Sequence, residues 1–120
     1  MNGAFVMLGA LFGAPARYWI DRWVQRFVGP PDGTRMPWGT LVVNVLGSFI
    51  LGSLIGPELP VRWDLALGVG FCGSFTTFST FAAQSDALRA EGHGDLAWAN
   101  VAVNTLACVG AATVGYLIFR

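Results

Sequence analysis

The polar residues of this chain stand where a bilayer-spanning helix would carry Leu, Ile and Val. The stretch GFCGSFTTFSTF, Gly70 to Phe81, offers two glycines, three threonines, two serines and four phenylalanines inside a long apolar segment. Asn44 and Ser48 stand at i and i+4 in a second apolar segment, and Asn100 and Asn104 at i and i+4 in another. All of these groups are neutral. Amides and hydroxyls can donate hydrogen bonds to an anion without trapping it by full charge. They can also bond one helix to another inside lipid, so a conduction path and interhelical glue both account for them. No Asp or Glu falls in the middle of an apolar run, and Asp86 lies near the end of one. A proton-coupled pump normally needs a titratable carboxylate along its path, so that class is disfavoured.

The same stretch invites an interruption. Gly70 and Gly73, followed by Ser74, Thr76 and Thr77, predict a broken helix. Backbone groups freed at a break must be satisfied by protein, water or an ion, and carbonyls unwound at mid-membrane can bind a small cation such as Na⁺. Phe75, Phe78 and Phe81 recur at i, i+3 and i+6 and would share one face if the helix resumes after Gly73. Such a stripe usually packs, but an aromatic ring has an electropositive edge that can be turned toward an anion.

The elements that must hold these residues are four apolar runs: Gly3 to Ile20, Trp38 to Gly56, Leu65 to about Leu88, and Leu96 to Phe119. A helix of about 20 residues crosses the hydrocarbon core. The first, second and fourth runs fit directly, and the third fits if its polar middle is tolerated. The composition agrees: 54% hydrophobic, 12% charged, with mean hydropathy +0.57, where a soluble domain carries about 25% charged residues. The expectation is an all-α membrane protein of four transmembrane helices, one domain over residues 1–120. The N-terminal run lacks the positive n-region of a signal peptide and is read as a retained helix. Trp19 and Trp23 close the first span, and Trp38, Trp63 and Trp98 open the other three, as interfacial rings should. Gly9/Gly13, Gly52/Gly56 and Ala111/Gly115 are small-residue pairs at helical spacing, suited to close helix approach within or between subunits. Four short helices enclose little volume, so an oligomer, a dimer first of all, is expected.

Charge narrows the remaining classes. The formal net charge is zero and all seven basic residues are Arg, which speaks against a nucleic-acid surface. Arg62 and Arg120 lie on the side of the termini, and Arg22, Arg26, Arg35 and Arg89 on the other. That places the 1–2 and 3–4 loops in the cytoplasm, by an excess small enough to admit insertion in both orientations. Cys72 and Cys108 sit in apolar runs without metal-ligand spacing and read as small buried hydrophobes. His93 lies between two glycines in a loop, and nothing pairs a nucleophile with a base, so no enzyme is expected.

GALFGAPARYW, WGTLVVNVLGSFILG and GFCGSFTTFSTF together resemble the Fluc (CrcB) family of fluoride channels over nearly the whole chain. The last of these matches the family's third-helix pattern Gly-x-x-Gly-x-x-Thr-Thr-Phe-Ser-Thr-Phe. The resemblance implies an antiparallel, dual-topology dimer in the plasma (inner) membrane, with two fluoride pores near the subunit interface. Both homodimers and heterodimers of two homologous chains occur in the family. It also implies a central structural Na⁺, held here by the backbone carbonyls of Gly73 and Thr76. Phe78 and Phe81 match the pore phenylalanines, Asn44 the second-helix pore asparagine, Ser79 and Thr80 the hydroxyl track, and Arg17 the basic residue of the aqueous vestibule. Asn104 is placed with the pore donors. The chain departs from the family pattern in two ways: Gln84 stands where a Glu is frequent, and Asn100 and Asn104 where Tyr or Asn and then Ser are frequent. Both keep hydrogen-bonding capacity. The implied activity is passive fluoride export that protects the cell. Two alternatives are a small multidrug-type transporter, which would need an acidic residue in its first helix before Asp21, and a non-transporting assembly subunit, which leaves the Thr-Ser-Phe cluster without a role.

Overall fold

The computed structural model describes residues 2–29, 36–76 and 79–120. Among the described residues the chain is all-helical. Helix α1 (Asn2–Val28) runs well past the expected boundary at Ile20. The segment after Ile20 contains no helix breaker until Gly29 and Pro30, so charge alone does not stop it. It ends where Gly29 turns left-handed at φ +84°. There the Gly29 N–H donates to the Gln25 carbonyl at 2.7 Å, a glycine C-terminal cap.

Helix α2 (Trp38–Ile55) follows Pro37 and gives way at Gly56 and Pro57. The third span comprises α3 (Val61–Trp63), a π-helical stretch (Asp64–Cys72), α4 (Gly73–Phe75) and α5 (Ser79–Ala90). Helix α6 (Gly94–Phe119) closes the fold. Between α5 and α6, Gly92 adopts φ +83°. The His93 N–H reaches Leu88 O at 2.8 Å and the Gly92 N–H reaches Arg89 O at 3.1 Å, the paired bonds of a Schellman turn.

The third span is interrupted, and later than its glycines suggest. The chain stays helical through Gly70 and Gly73 and becomes extended at Thr76, φ −81° and ψ 160°. Gly70 serves packing, whereas a Cβ on Gly73 would meet nothing within 4 Å. A Cβ on Gly9 would run into the Ala66 carbonyl and approach Phe71 N, and one on Gly70 would meet Val6 O. Helix α1 and the π-helical stretch therefore touch backbone to backbone. The π-helix itself, an i→i+5 winding often found at functional sites, has no signature in the sequence.

Helices α2 and α6 pair in the same manner: Gly52 lies against the backbone of Ala112, and Gly115 against Phe49 O. The small residues Gly9, Gly52 and Gly115 thus pack helices within one chain. The most deeply buried side chains are Phe75, Leu88, Val43 and Asn100. All five tryptophans are exposed, as are Leu11, Phe12, Leu106, Val109 and Ile118, an outer surface suited to lipid or to another subunit.

Trp38–Ile55, Val61–Ala90 and Gly94–Phe119 are long and apolar enough to cross a membrane. Helix α1 is long enough, but Arg17, Pro15 and several glycines dilute its apolar run. The longest dimension of the chain is 48 Å, more than the hydrocarbon core of about 30 Å.

Candidate functional site

Two adjacent cavities collect most of the residues singled out in the sequence. The larger, about 380 Å³, is lined by Asn44, Gly47 and Ser48 of α2, Gly73 and Thr76 at the break, Phe81 of α5, and Asn104 of α6, with both cysteines in its wall. Gly47 is what lets the break come close: a Cβ there would collide with the Thr76 methyl. Thr76 is fixed from behind, its N–H and its hydroxyl both donating to Cys72 O at 3.0 and 2.8 Å. Among the described residues, no Asp, Glu, Arg or Lys borders this cavity.

The amides are wired in series. Asn44 Nδ2 donates to Asn104 Oδ1 at 3.3 Å, Asn104 Nδ2 to Asn100 Oδ1 at 2.8 Å, and Asn100 Nδ2 to Ser85 Oγ at 2.8 Å. Asn100 and Asn104 are almost wholly buried. An amide has two N–H donors and one carbonyl. With each carbonyl of Asn100 and Asn104 taken by the next amide, the orientation of every group in the row is set. The bonds join α2, α6 and α5, so the glue reading holds for Asn100. Asn44 and Asn104 combine that role with a place on the cavity wall.

The smaller cavity, about 170 Å³, is lined by Arg17, Tyr18 and Asp21 of α1, Thr40 and Val43 of α2, and Thr80 of α5. It carries the charge that the larger one lacks. Thr40 Oγ1 donates to Gln84 Oε1 at 2.6 Å, which ties α2 to α5 beside it. Thr40 and Asn44 are one helical turn apart, and Thr80 precedes Phe81, so the two cavities follow one another along the same helices.

The expected aromatic stripe does not form one face. Phe75 is 2% exposed and stacks on Phe71, ring centroids 5.4 Å apart, in the core. Phe81 lines the larger cavity. The extended backbone at Thr76 separates the two, so helical spacing across it has no meaning. Phe78 lies outside the described residues, and of Ser79 only the backbone is described. Cys72 is buried as expected, whereas Cys108 is only half-buried.

Sequence reading missed Thr40, Asp21 and Ser85 as neighbours of the site. Thr40 had a weak signal, one turn before Asn44. Ser85 had none, since its partner Asn100 is fifteen residues away.

The sequence family described as CrcB-like protein, Camphor Resistance (CrcB), matches residues 4–116. The chain is similar to the fluoride-specific ion channel FluC 1 of Nocardia farcinica, 44% identical over 111 residues that cover 92% of this chain and 75% of that protein. It is similar to FluC 1 of Geobacillus kaustophilus, 42% identical over 120 residues, 97% of this chain and 96% of that one. FluC of Koribacter versatilis is 37% identical over 112 residues, 89% and 86% of the two chains.

Proposed function

The chain belongs to the CrcB family, and from that premise we propose that it is a fluoride-specific channel exporting the ion passively from the cytoplasm. One observation carries the mechanism: the neutral donors Asn44 and Asn104 and the ring of Phe81 meet in one uncharged cavity beside a break in a membrane span.

Fluoride is small and strongly hydrated, and a narrow path must replace lost water with donors of comparable strength. Arg17 raises the anion concentration at the mouth. Thr80 supplies a hydroxyl just inside, while the Thr40 O–H is taken by Gln84. Asn44 and Asn104 supply N–H donors at depth, with Ser79 and Phe78 assigned to the same path from the family pattern. Phe81 presents a ring edge where water is scarce. The row from Asn44 to Ser85 holds the amides in orientation, so a passing ion meets preset dipoles. No bond is made or broken, and flow is downhill.

The working unit is an antiparallel dimer with dual topology in the plasma (inner) membrane. Gly73 supports this reading: it is exposed, and a Cβ built on it meets nothing within 4 Å, so the break lies on an outer face that a second subunit can cover. The carbonyls of Gly73 and Thr76 are neutral hard oxygens that suit Na⁺. Thr76 has left helical geometry, so its carbonyl is no longer committed to a helical ladder. Na⁺ held there would supply a fixed positive charge and pin the half-helices of both subunits. The partner is a second copy of this chain, or a homologous subunit in a heterodimer.

Fluoride-versus-chloride efflux from liposomes containing this chain alone tests the reading. Selective fluoride efflux is expected. Equal flux of both halides, or none, overturns it.

A further inference from the structure

The fluoride mouth carries a second charge besides Arg17. Arg17 and Asp21 stand at i and i+4 on one face of α1, and both line the 170 Å³ cavity. The Asp21 carboxylate is bonded on one side and closely approached on the other. Gln25 Nε2 donates to Oδ2 at 3.1 Å. Oδ1 lies against Gly39, where any Cβ would collide with it.

Gly39 is in the first turn of α2, a turn with no acidic residue and no side-chain cap from Pro37. The unpaired N–H groups of such a turn act as roughly half a positive charge and make a ready anion site. Asp21, reaching over from α1, puts a resident carboxylate beside that turn, against Gly39. Of the further cations on α1, Arg22 is engaged elsewhere, its Nη1 donating to the Tyr18 hydroxyl at 2.8 Å with the guanidinium 5.5 Å from the ring centroid, and Arg26 lines a separate pocket with Trp19 and Trp23. On α5 the facing groups, Thr80 and Gln84, are neutral.

Without the carboxylate, Arg17 and the end of α2 would together present about one and a half positive charges to fluoride. With it the sum falls to about half a charge. Conduction needs an ion attracted strongly enough to enter and weakly enough to leave. We propose that Asp21 is a charge-balancing residue of the fluoride mouth, its carboxylate lying beside Gly39 in the first turn of α2 and offsetting Arg17 so that the anion is drawn in without being held. This rests on the fluoride-channel reading and on Arg17 at its entrance.

The test is the concentration dependence of fluoride flux in liposomes for the full chain and for Asp21→Asn, Arg17→Gln and the double variant, at about 10 mM and about 1 M ionic strength. Asn keeps an acceptor for Gln25 and removes only the charge, with Asp21→Ser as a second neutral variant should Asn fail to fold. Asp21→Asn should lower the half-saturating fluoride concentration about tenfold and lower the maximal flux. Arg17→Gln should raise the half-saturating concentration, the double variant should fall between, and Asp21→Glu should restore the original behaviour. High salt should shrink every difference. A folded, neutral Asp21 variant with unchanged half-saturation at low salt overturns the proposal while leaving the channel reading intact. Absence of fluoride flux in the unmodified chain overturns the channel reading itself.

Discussion

On either side of Thr76 the third span meets its neighbours by different means. Upstream, the π-helical stretch lies backbone to backbone on α1 through Gly9 and Gly70, with Phe71 stacked on Phe75. Downstream, α5 reaches α2 and α6 through polar side chains: Gln84 accepts from Thr40, and Ser85 from Asn100. The first half is an anchor with no room for adjustment. The second is a wall of oriented dipoles. A channel needs both, because a dipole stabilises a passing ion only if its own position does not relax. The same residue type takes opposite roles on the two sides, Phe75 as core and Phe81 as lining.

That contrast can be broken most severely upstream. Gly70→Leu drives a side chain into Val6 O, where backbone cannot yield, and overpacking costs about 1–3 kcal/mol or more. Loss of a monodisperse folded species by size-exclusion chromatography is expected. A well-folded Gly70→Leu protein would show that the anchor is looser than its geometry.

Next is Asn44→Asp. A carboxylate about 4 Å from an anion, at an effective dielectric constant of about 20, repels it by about 4 kcal/mol, or roughly a thousandfold. Fluoride efflux should be abolished with the folded protein retained, and full conduction would remove Asn44 from the path.

The paired substitutions Phe75→Ala and Phe81→Ile sharpen the comparison directly. The first should lower the unfolding temperature through a cavity penalty of about 3 kcal/mol, the second should cut flux with little change in stability. Reversed outcomes would exchange the two roles. Replacing Na⁺ by a large organic cation should weaken the proposed dimer in a dilution series, and indifference to the cation argues against a structural ion.

The smallest effect is expected at Ser85→Ala. It deprives Asn100 of a hydrogen-bond acceptor, worth about 1 kcal/mol. Flux should fall a few-fold and recover in Ser85→Thr. An unchanged rate would mean that Asn44 and Asn104 hold their orientation without the far end of the row.

Much of this was legible beforehand. A charge-poor chain with four apolar runs and tryptophans at their ends specifies membrane helices, because in hydrocarbon the backbone must satisfy itself. The neutral amides and hydroxyls at depth, and the break in the third span, were also visible as types that lipid does not favour. Spacing misled in two places. Gly70 and Gly73 read as the start of the break, but the chain stays helical through both and Gly70 proved to be contact surface, since a missing side chain frees the backbone and admits a neighbour equally well. Phe75, Phe78 and Phe81 read as one stripe, which requires the continuous winding that Thr76 ends. Only the tertiary structure decided that Asn100 bonds Ser85, that Thr40 bonds Gln84, and that Asp21 faces the start of α2. Each of these joins two helices, and residue spacing orders side chains along one helix only. The rotation and height of one helix against another are set by where backbones can touch, here at Gly9, Gly52, Gly70 and Gly115.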